Sequence, residues 1–280
     1  MAARGSLETV ATGYNSPEGP AFDRHGNLFF VNWLTSSIVR VTPDGSAAEF
    51  ANTGGIPAGL AFHRDGTLYV ADEGEQWHGV LKVTPDGTIT PWVQSYEGQP
   101  LNGANDLVFD RQGVLYFSDP WGSSLEKPIG GFYRAFADGR LEQIDRGLAF
   151  PNGVAVDAAG TAVFLAETLH NRILRYELRP DGSIGGRDEF ARLAGHPGPD
   201  GMAFDEEGNL YVAHWGEGRV DVFDRSGKEI DQIPTPGRST TNCAFGPPSD
   251  RTTLIITEVE SASVYRLRLG VRGQALFGEL

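Results

Sequence analysis

Six residues at equivalent places along this chain carry, with one exception, a side-chain oxygen. They lie within a short phrase that returns six times, as in S-P-E-G-P-A-F-D, F-P-N-G-V-A-V-D and G-P-D-G-M-A-F-D, at intervals of 40, 47, 47, 48 and 42 residues. A period of this length indicates a closed repeat architecture, in which equivalent positions of all units face one axis. We therefore expect five oxygen-bearing side chains to converge on one point. The residues at the shared position are Glu18, Ala58, Asn105, Asn152, Asp200 and Asn242.

Four of these residues have the chemistry of ligands for a hard cation. Glu18 and Asp200 supply carboxylates, and Asn105 and Asn152 supply amide oxygens. Calcium takes about 6–8 oxygen ligands, so water or substrate would complete the shell. A single residue of this type often only caps a turn, but four at equivalent positions favour a metal site. We predict one divalent ion, calcium by preference. The oxygen-only set is unfavourable for zinc, although Zn²⁺, Mn²⁺ and Mg²⁺ are kept as alternatives.

Other polar and aromatic residues lie close to these positions in the repeats. Asp106 follows Asn105 where most units have glycine, and it is a candidate acid or base, an orienting group or a structural hydrogen-bond partner. A second ring of residues follows the next strand of each unit: Asn32, Asp72, Asp119, Glu167, His214 and Glu258. These residues either orient the ligands or cap turns. We predict substrate contacts for Asn242, Trp121, Trp215 and His214, with ordinary packing as the alternative for the tryptophans.

Short strands must position these residues. In each unit the polar phrase leads into an apolar run, a turn such as D-E-E-G-N, and a β-branched and aromatic run such as L-Y-V-A-H. Two further runs follow, separated by Asp-Gly or Ser-Gly turns, so each unit should form four antiparallel strands joined by hairpins. Six units predict an all-β fold, a six-bladed β-propeller forming one domain over residues 1–280. The opening L-E-T-V-A-T-G is predicted to close the ring as an outer strand of the sixth blade.

Composition argues against several other classes of function. The chain has 23 Lys and Arg against 37 Asp and Glu, a formal net charge of −14, which disfavours binding to nucleic acid. A single cysteine, Cys243, excludes an internal disulfide and a thiolate metal cluster. There is no apolar run of about 18 residues to cross a membrane and no apolar segment typical of a secretory leader. We expect a cytoplasmic protein that acts on a small molecule, and its oligomeric state is left open.

Over essentially its whole length the chain resembles the family of senescence marker protein, gluconolactonase and luciferin-regenerating enzyme, to which diisopropyl-fluorophosphatase is related. The resemblance rests on S-P-E-G-P, A-N-D-L-V-F-D, F-P-N-G-V-A-V-D and G-P-D-G-M-A-F-D, in that order and spacing. It implies a divalent ion, commonly calcium, at the propeller centre, bound by Glu18, Asn105, Asn152 and Asp200. It also implies that Asp200 is the general base.

The chain departs from the family pattern at three positions. Sugar lactonases of animal type tend to carry an arginine two positions before the Asn-Asp pair, and this chain has Gly103 there. That difference argues against a preference for aldonolactones. Members of phosphatase type hold a second, buried calcium with an aspartate and a histidine. This chain has Ala203 and Ala244 at those positions, so no second ion of that kind is expected.

The residues and the resemblance together predict a metal-dependent hydrolase that opens lactones or related cyclic esters. The ion would polarise the carbonyl oxygen as a Lewis acid. Asp200, or a carboxylate beside it such as Asp106, would take a proton from the attacking water. One alternative is hydrolysis of phosphorus–fluorine or phosphotriester bonds at the same ion. The other is a propeller that binds ligand or protein without catalysis, against which the clustered acids Glu18, Asp106 and Asp200 argue.

Overall fold

The protein is a ring of six four-stranded antiparallel sheets, described by a computed structural model over residues 5–279. This architecture confirms the predicted all-β six-bladed propeller. Residues 1–4 and 280, the ends of the predicted domain 1–280, lie outside the described residues. Within residues 5–279, no helix is long and apolar enough to cross a membrane. In the described part of the chain the helical elements are three 3₁₀ turns, η1 (Trp33–Thr35), η2 (Thr168–His170) and η3 (Phe277–Glu279).

The first three blades follow an N-terminal strand, β1 (Glu8–Thr12). Blade 1 contains β2 (Pro17–Phe22), β3 (Leu28–Asn32), β4 (Ser37–Val41) and β5 (Ala47–Asn52). Blade 2 contains β6 (Pro57–Phe62), β7 (Leu68–Asp72), β8 (Gly79–Val83) and β9 (Ile89–Val93). A small hairpin of β10 (Ser95–Tyr96) and β11 (Gln99–Pro100) separates it from blade 3. Blade 3 contains β12 (Leu107–Phe109), β13 (Leu115–Asp119), β14 (Gly130–Ala135) and β15 (Leu141–Leu148).

The last three blades complete and close the ring. Blade 4 contains β16 (Pro151–Val156), β17 (Ala162–Glu167), β18 (Arg172–Leu178) and β19 (Ile184–Arg192). Blade 5 contains β20 (Pro199–Phe204), β21 (Leu210–His214), β22 (Arg219–Phe223) and β23 (Glu229–Pro234). Blade 6 contains β24 (Thr240–Phe245), β25 (Thr253–Glu258) and β26 (Ser263–Arg268). The N-terminal strand β1 pairs antiparallel with β26, as predicted, so the first and the last strand share one blade.

The first strands of neighbouring blades contact one another around the whole ring and therefore line the axis. Their pairing with the second strand is interrupted near the shared sequence position, for example between Glu18 and Ala21 and between Pro199 and Met202. Such bulges redirect side chains and are frequent beside functional sites. The bulge thus turns the side chain at the shared position away from the regular alternation of the strand.

Glycines allow the first strands to approach closely at the axis. A Cβ built on Gly153 would lie 2.0 Å from the backbone oxygen of Asp200 in the next blade, and one on Gly201 would lie 1.9 Å from the side chain of Asn242. The same column of residues contains Asp106 in blade 3 and Cys243 in blade 6 instead of glycine. Asp106 therefore places a carboxylate where four of the six blades have a glycine.

The C-terminal segment covers the end of the axis opposite to the shared position. Gln274 donates its backbone N–H to Phe204 and its side-chain amide to the carbonyl of Val156. Phe277 packs against Phe109. A cavity of about 100 Å³ lies between this segment and the first strands. Ala203 and Ala244, at the positions where the family's second ion would be bound, line this cavity among apolar residues.

The close approach of the first strands leads to a stability prediction. Gly153→Ala should lower the free energy of unfolding by about 1–3 kcal/mol, the usual effect of overpacking, because the new Cβ would overlap the backbone of Asp200. Gly186→Ala is the matched control, since a Cβ there meets nothing within 4 Å. Urea denaturation of both variants measures the difference. Equal stability of the two variants would show that the strands can separate at no cost.

Candidate functional site

The structure places the residues of the shared position together at one end of the axis. Glu18, Asn152, Asp200 and Asn242 are buried in the first strands of their blades, and Asn105 is half-buried just before β12. Ala58 of blade 2 is also buried but contributes no oxygen. Five of the six blades therefore carry an oxygen-bearing side chain on or beside the axial strand, and their binding of a common ion stays a prediction.

The amides of this ring are bonded to carboxylates of neighbouring blades. Asn242 donates its Nδ2 to Glu18 Oε2 at 3.2 Å, which connects blades 6 and 1. The Asn152 side chain lies beside the carboxylate of Asp200, which brings blades 4 and 5 together, and it lowers the pKa of that carboxyl. Both amides are thus paired with an acid. In Asn242 the amide oxygen also accepts the backbone N–H of Cys243 at 2.8 Å.

The third amide of the ring is bonded to a residue that we did not single out from the sequence. Asn105 donates its Nδ2 to Glu73 Oε1 at 2.9 Å, which connects blades 3 and 2. Glu73 is buried in the loop after β7, next to Asp72 of the second ring. A sequence signal existed, because two consecutive acids, the last residue of the second strand and the residue after it, occur in the one blade whose shared position, Ala58, has no oxygen. The direction of the Glu73 side chain could not be read from that signal.

The pKa values of the carboxylates are raised by burial and by one another. Burial, then the charges of Asp200 and Asp106, raise the pKa of Glu18 well above its usual value. Burial, then Asp106 and Glu73, do the same to the pKa of Asp200. Burial raises the pKa of Asp106 to about 6, against the effect of N–H groups from Val154 and Leu107.

Glu73 shows the same effect, with a pKa raised to about 7 by burial and by the charges of Asp72 and Asp119, while the bond from Asn105 lowers it. Among residues 5–279, no ion pair to Lys, Arg or His involves Glu18, Glu73, Asp106 or Asp200. The ion pairs present connect other residues. Buried carboxylates without a basic partner are unfavourable unless a cation neutralises them. The charge balance of the axis therefore fits a bound cation.

The donor set also fits such an ion. In the described part of the chain, no three His, Cys, Asp or Glu side chains converge closely enough to form a metal site by themselves. A site on the axis must therefore include the amide oxygens of Asn105 and Asn152 together with Glu18 and Asp200. Carboxylate and amide oxygens in a mixed set are the ligands that calcium prefers.

The second ring does not face the axis but fixes the loops that enter the first strands. In five of its six residues, all except His214, a carboxylate or amide oxygen accepts a backbone N–H from the preceding loop of the same blade. Asn32 accepts from Ser16, Asp72 from Ile56, Asp119 from Gly103, Glu167 from Ala149 and Glu258 from Ser239. Turn capping, the alternative stated above, therefore describes this ring, and its influence on the ion site passes through the backbone.

His214 occupies the same place in blade 5. Its contacts differ from the substrate contact that we predicted for it. Its side chain is fully buried, with Nδ1 at 2.6 Å from Asp221 Oδ2 and Nε2 at 2.7 Å from the carbonyl oxygen of His196. Both ring nitrogens are therefore occupied within the protein. The sequence could not show that Asp221 of β22 would contact the His214 ring.

The predicted tryptophans lie on the surface at the same end of the propeller as the site. Trp121 is 40% exposed and Trp215 is 39% exposed, each in a loop after a second strand. Trp121 packs against Gly103, where an added Cβ would lie 2.8 Å from the Trp121 Cβ and 3.0 Å from the Glu73 carbonyl oxygen. Gly103 also has a φ of 147°, which disfavours any other residue. A long side chain at this position is incompatible with the loop as built.

Comparison with known proteins agrees with this geometry. The SMP-30/Gluconolactonase/LRE-like region matches residues 16–260, and the chain belongs to this family. Diisopropyl-fluorophosphatase from Loligo vulgaris is 30% identical over an alignment that covers 94% of this chain and 91% of the relative. Lactonase drp35 from Staphylococcus saprophyticus is 33% identical over 87% of this chain and 79% of the lactonase. The solved structure of a gluconolactonase from Xanthomonas campestris superposes with a TM-score of 0.83 at 27% identity, covering 94% of this chain and 89% of that one.

The environment of His214 gives a prediction that separates a structural role from substrate contact. His214→Ala should lower the free energy of unfolding by at least about 1–3 kcal/mol, because it leaves the fully buried Asp221 Oδ2 without the imidazole that contacts it. The KM of the folded enzyme should stay unchanged. The exposed His25 provides the control variant, His25→Ala. Thermal unfolding and steady-state kinetics measure the two effects. A His214→Ala variant that is as stable as the wild type but has a strongly raised KM would instead show that His214 contacts the substrate.

Proposed function

We propose that this protein is a metal-dependent hydrolase that opens lactones or related cyclic esters. The observation that supports this most directly is the ring of amide and acid side chains, buried at the axis without a basic partner. Lactonase drp35 and a gluconolactonase among the similar proteins support a lactonase-type hydrolase. A small molecule is the expected substrate. The cytoplasmic location stays a prediction from the sequence.

Glu18, Asn105, Asn152 and Asp200 would hold one divalent ion, with calcium as the first choice. When bound, such an ion supplies Lewis-acid stabilisation of negative charge on a carbonyl or phosphoryl oxygen. The contribution of the protein is to fix the ligands before substrate arrives. The bond from Asn242 holds Glu18 in position, and the neighbouring Asn152 side chain favours the ionised form of Asp200.

Asp200 is our candidate for the base that takes a proton from water. Its burial and the neighbouring charges of Asp106 and Glu73 raise its pKa, which makes it a stronger base than an exposed carboxylate. Asp106 is placed differently. Its Oδ2 accepts the N–H of Val154 at 2.8 Å, and the residue lines the cavity between the site and the C-terminal segment. One oxygen of Asp106 is therefore already held by a backbone N–H, on the side of the site toward the C-terminal segment.

The surroundings of the site favour a lactone with an apolar body over a sugar lactone. Gly103 has no room for the arginine that animal-type sugar lactonases tend to have at this position. Among the described residues, five of the seven exposed large apolar side chains lie in loops after second strands, at the same end as the ring. These five are Leu34, Trp121, Leu125, Ile129 and Trp215. A polar floor inside an apolar rim suits an ester carbonyl on a hydrophobic body.

Hydrolysis of phosphorus–fluorine bonds is the second candidate. It is favoured by the 30% identity to diisopropyl-fluorophosphatase over 94% of this chain. The same residues would serve both reactions, because each requires an ion beside a polar oxygen and an activated water. The apolar lining at Ala203 and Ala244 differs from the second calcium site implied by that resemblance.

A substrate panel with and without chelator tests the proposed function. We expect hydrolysis of an alkyl-substituted γ-lactone, loss of that activity on chelation and recovery on addition of calcium. Glucono-δ-lactone should have a kcat/KM roughly 10- to 100-fold lower, the discrimination that an apolar pocket achieves against added hydroxyl groups. Diisopropyl fluorophosphate is the third substrate. The proposal fails if no lactone is opened, or if a verified metal-free protein keeps full activity.

A pair of isosteric variants tests the assignment of the base. Asp200→Asn should lose about 100- to 10,000-fold in kcat at saturating calcium, the usual range for loss of general-base catalysis. Asp106→Asn keeps an acceptor oxygen for Val154 and should lose much less. Rates are compared at saturating ion, because Asp200→Asn also weakens a ligand. If the kcat of Asp106→Asn collapses while the kcat of Asp200→Asn stays near that of the wild type, the base is Asp106.

A further inference from the structure

Blade 2 is the one blade that has no oxygen at the shared position, and a residue from another place compensates for it. We propose that Glu73 is a positioning residue that holds the amide of Asn105 with its oxygen toward the propeller axis. The proposal rests on the proposed function, because it assumes that Asn105 is a ligand of the axial ion.

The backbone that carries the Glu73 side chain is held by hydrogen bonds of its own. Its N–H donates to the carbonyl of Ile56 at 2.9 Å, and the following Gly74 N–H donates to Asp72 Oδ1 at 2.8 Å. The backbone carbonyl and Cα of Glu73 pack against Gly103. These bonds satisfy the backbone N–H groups of the loop, so the Glu73 side chain is not needed to cap it. That side chain contacts Asn105.

An asparagine amide can present either its oxygen or its N–H₂ group to an ion, and only the oxygen is a ligand. An ionised carboxylate has no hydrogen to donate, so it can be satisfied only by the N–H₂ end of a neighbouring amide. Because Glu73 takes the Nδ2 of Asn105 at 2.9 Å, the Oδ1 atom is left for the axis. Asn105 is only half-buried, so packing alone does not fix its orientation.

The other two amides are also paired with a carboxylate of a neighbouring blade. Asn242 donates to Glu18 while its own oxygen accepts the N–H of Cys243, and Asn152 lies beside Asp200. With the Asn105–Glu73 bond, the six blades form three amide–carboxylate pairs: blades 6 and 1, 4 and 5, and 3 and 2. In the first two pairs both partners come from the shared position. In the third pair Ala58 cannot serve as the acid, and Glu73 replaces it from the adjacent loop.

Calcium affinity, measured by isothermal titration calorimetry on the full chain, tests the role of Glu73 without using activity. Glu73→Ala should weaken calcium binding by about 10- to 100-fold, the usual effect of losing a group that orients a ligand. Glu73→Gln keeps an acceptor oxygen for the Asn105 amide and should recover most of this affinity. The control is Glu75→Ala, which removes the same charge from an exposed position two residues away and should bind calcium like the wild type.

A double-mutant cycle with Asn105→Ala shows whether Glu73 acts through Asn105. In the Asn105→Ala background, Glu73→Ala should cause no further loss of affinity, because there is no amide left to orient. Equal calcium affinity of Glu73→Ala and Glu75→Ala would overturn the proposal, and so would Glu73→Gln as weak as Glu73→Ala. A wild-type protein that binds no divalent ion would instead refute the proposed metal site, and the role of Glu73 with it.

Discussion

The structure depends on a group of carboxylates that folding removes from water at the propeller axis. Glu18, Asp106, Asp200 and Glu73 are buried, and burial together with mutual repulsion raises the pKa values of Glu18 and Asp200. The three amide–carboxylate pairs offset part of this unfavourable charge and connect neighbouring blades. A cation bound among these side chains would offset the rest. It would stabilise the closed ring, because a ligand that binds only the folded state raises its stability.

The close packing of the blades and the chemistry of the site have the same origin. Glycines beside the shared position let the first strands approach until the backbone of one blade touches the next, as at Gly153 and Asp200. This approach brings side chains from distant parts of the sequence within reach of one ion. Asp106 breaks the glycine column, and its carboxylate reaches the N–H of Val154 in the next blade. One substitution in the repeat thus adds an acid to the floor of the site.

The repeat made the fold and the ring predictable, because equivalent positions in a closed propeller must face the axis. Strand order, the closing strand Glu8–Thr12 and the convergence of Glu18, Asn152 and Asp200 all follow from it. Glu73 and His214 were not predictable in the same way. Their side-chain directions depend on loops and on the partners Asn105 and Asp221, which lie in another blade or another strand. Periodicity in sequence carries no information about such contacts.

Diffraction from crystals grown with calcium, or with manganese as an anomalous scatterer, tests the central claim most directly. We predict one ion on the axis, in direct contact with Glu18, Asn152 and Asp200 and with Asn105 directly or through water. The anomalous map should show a single strong peak at this position. An empty axis in ion-loaded crystals, or an ion bound by histidines elsewhere, would contradict the account.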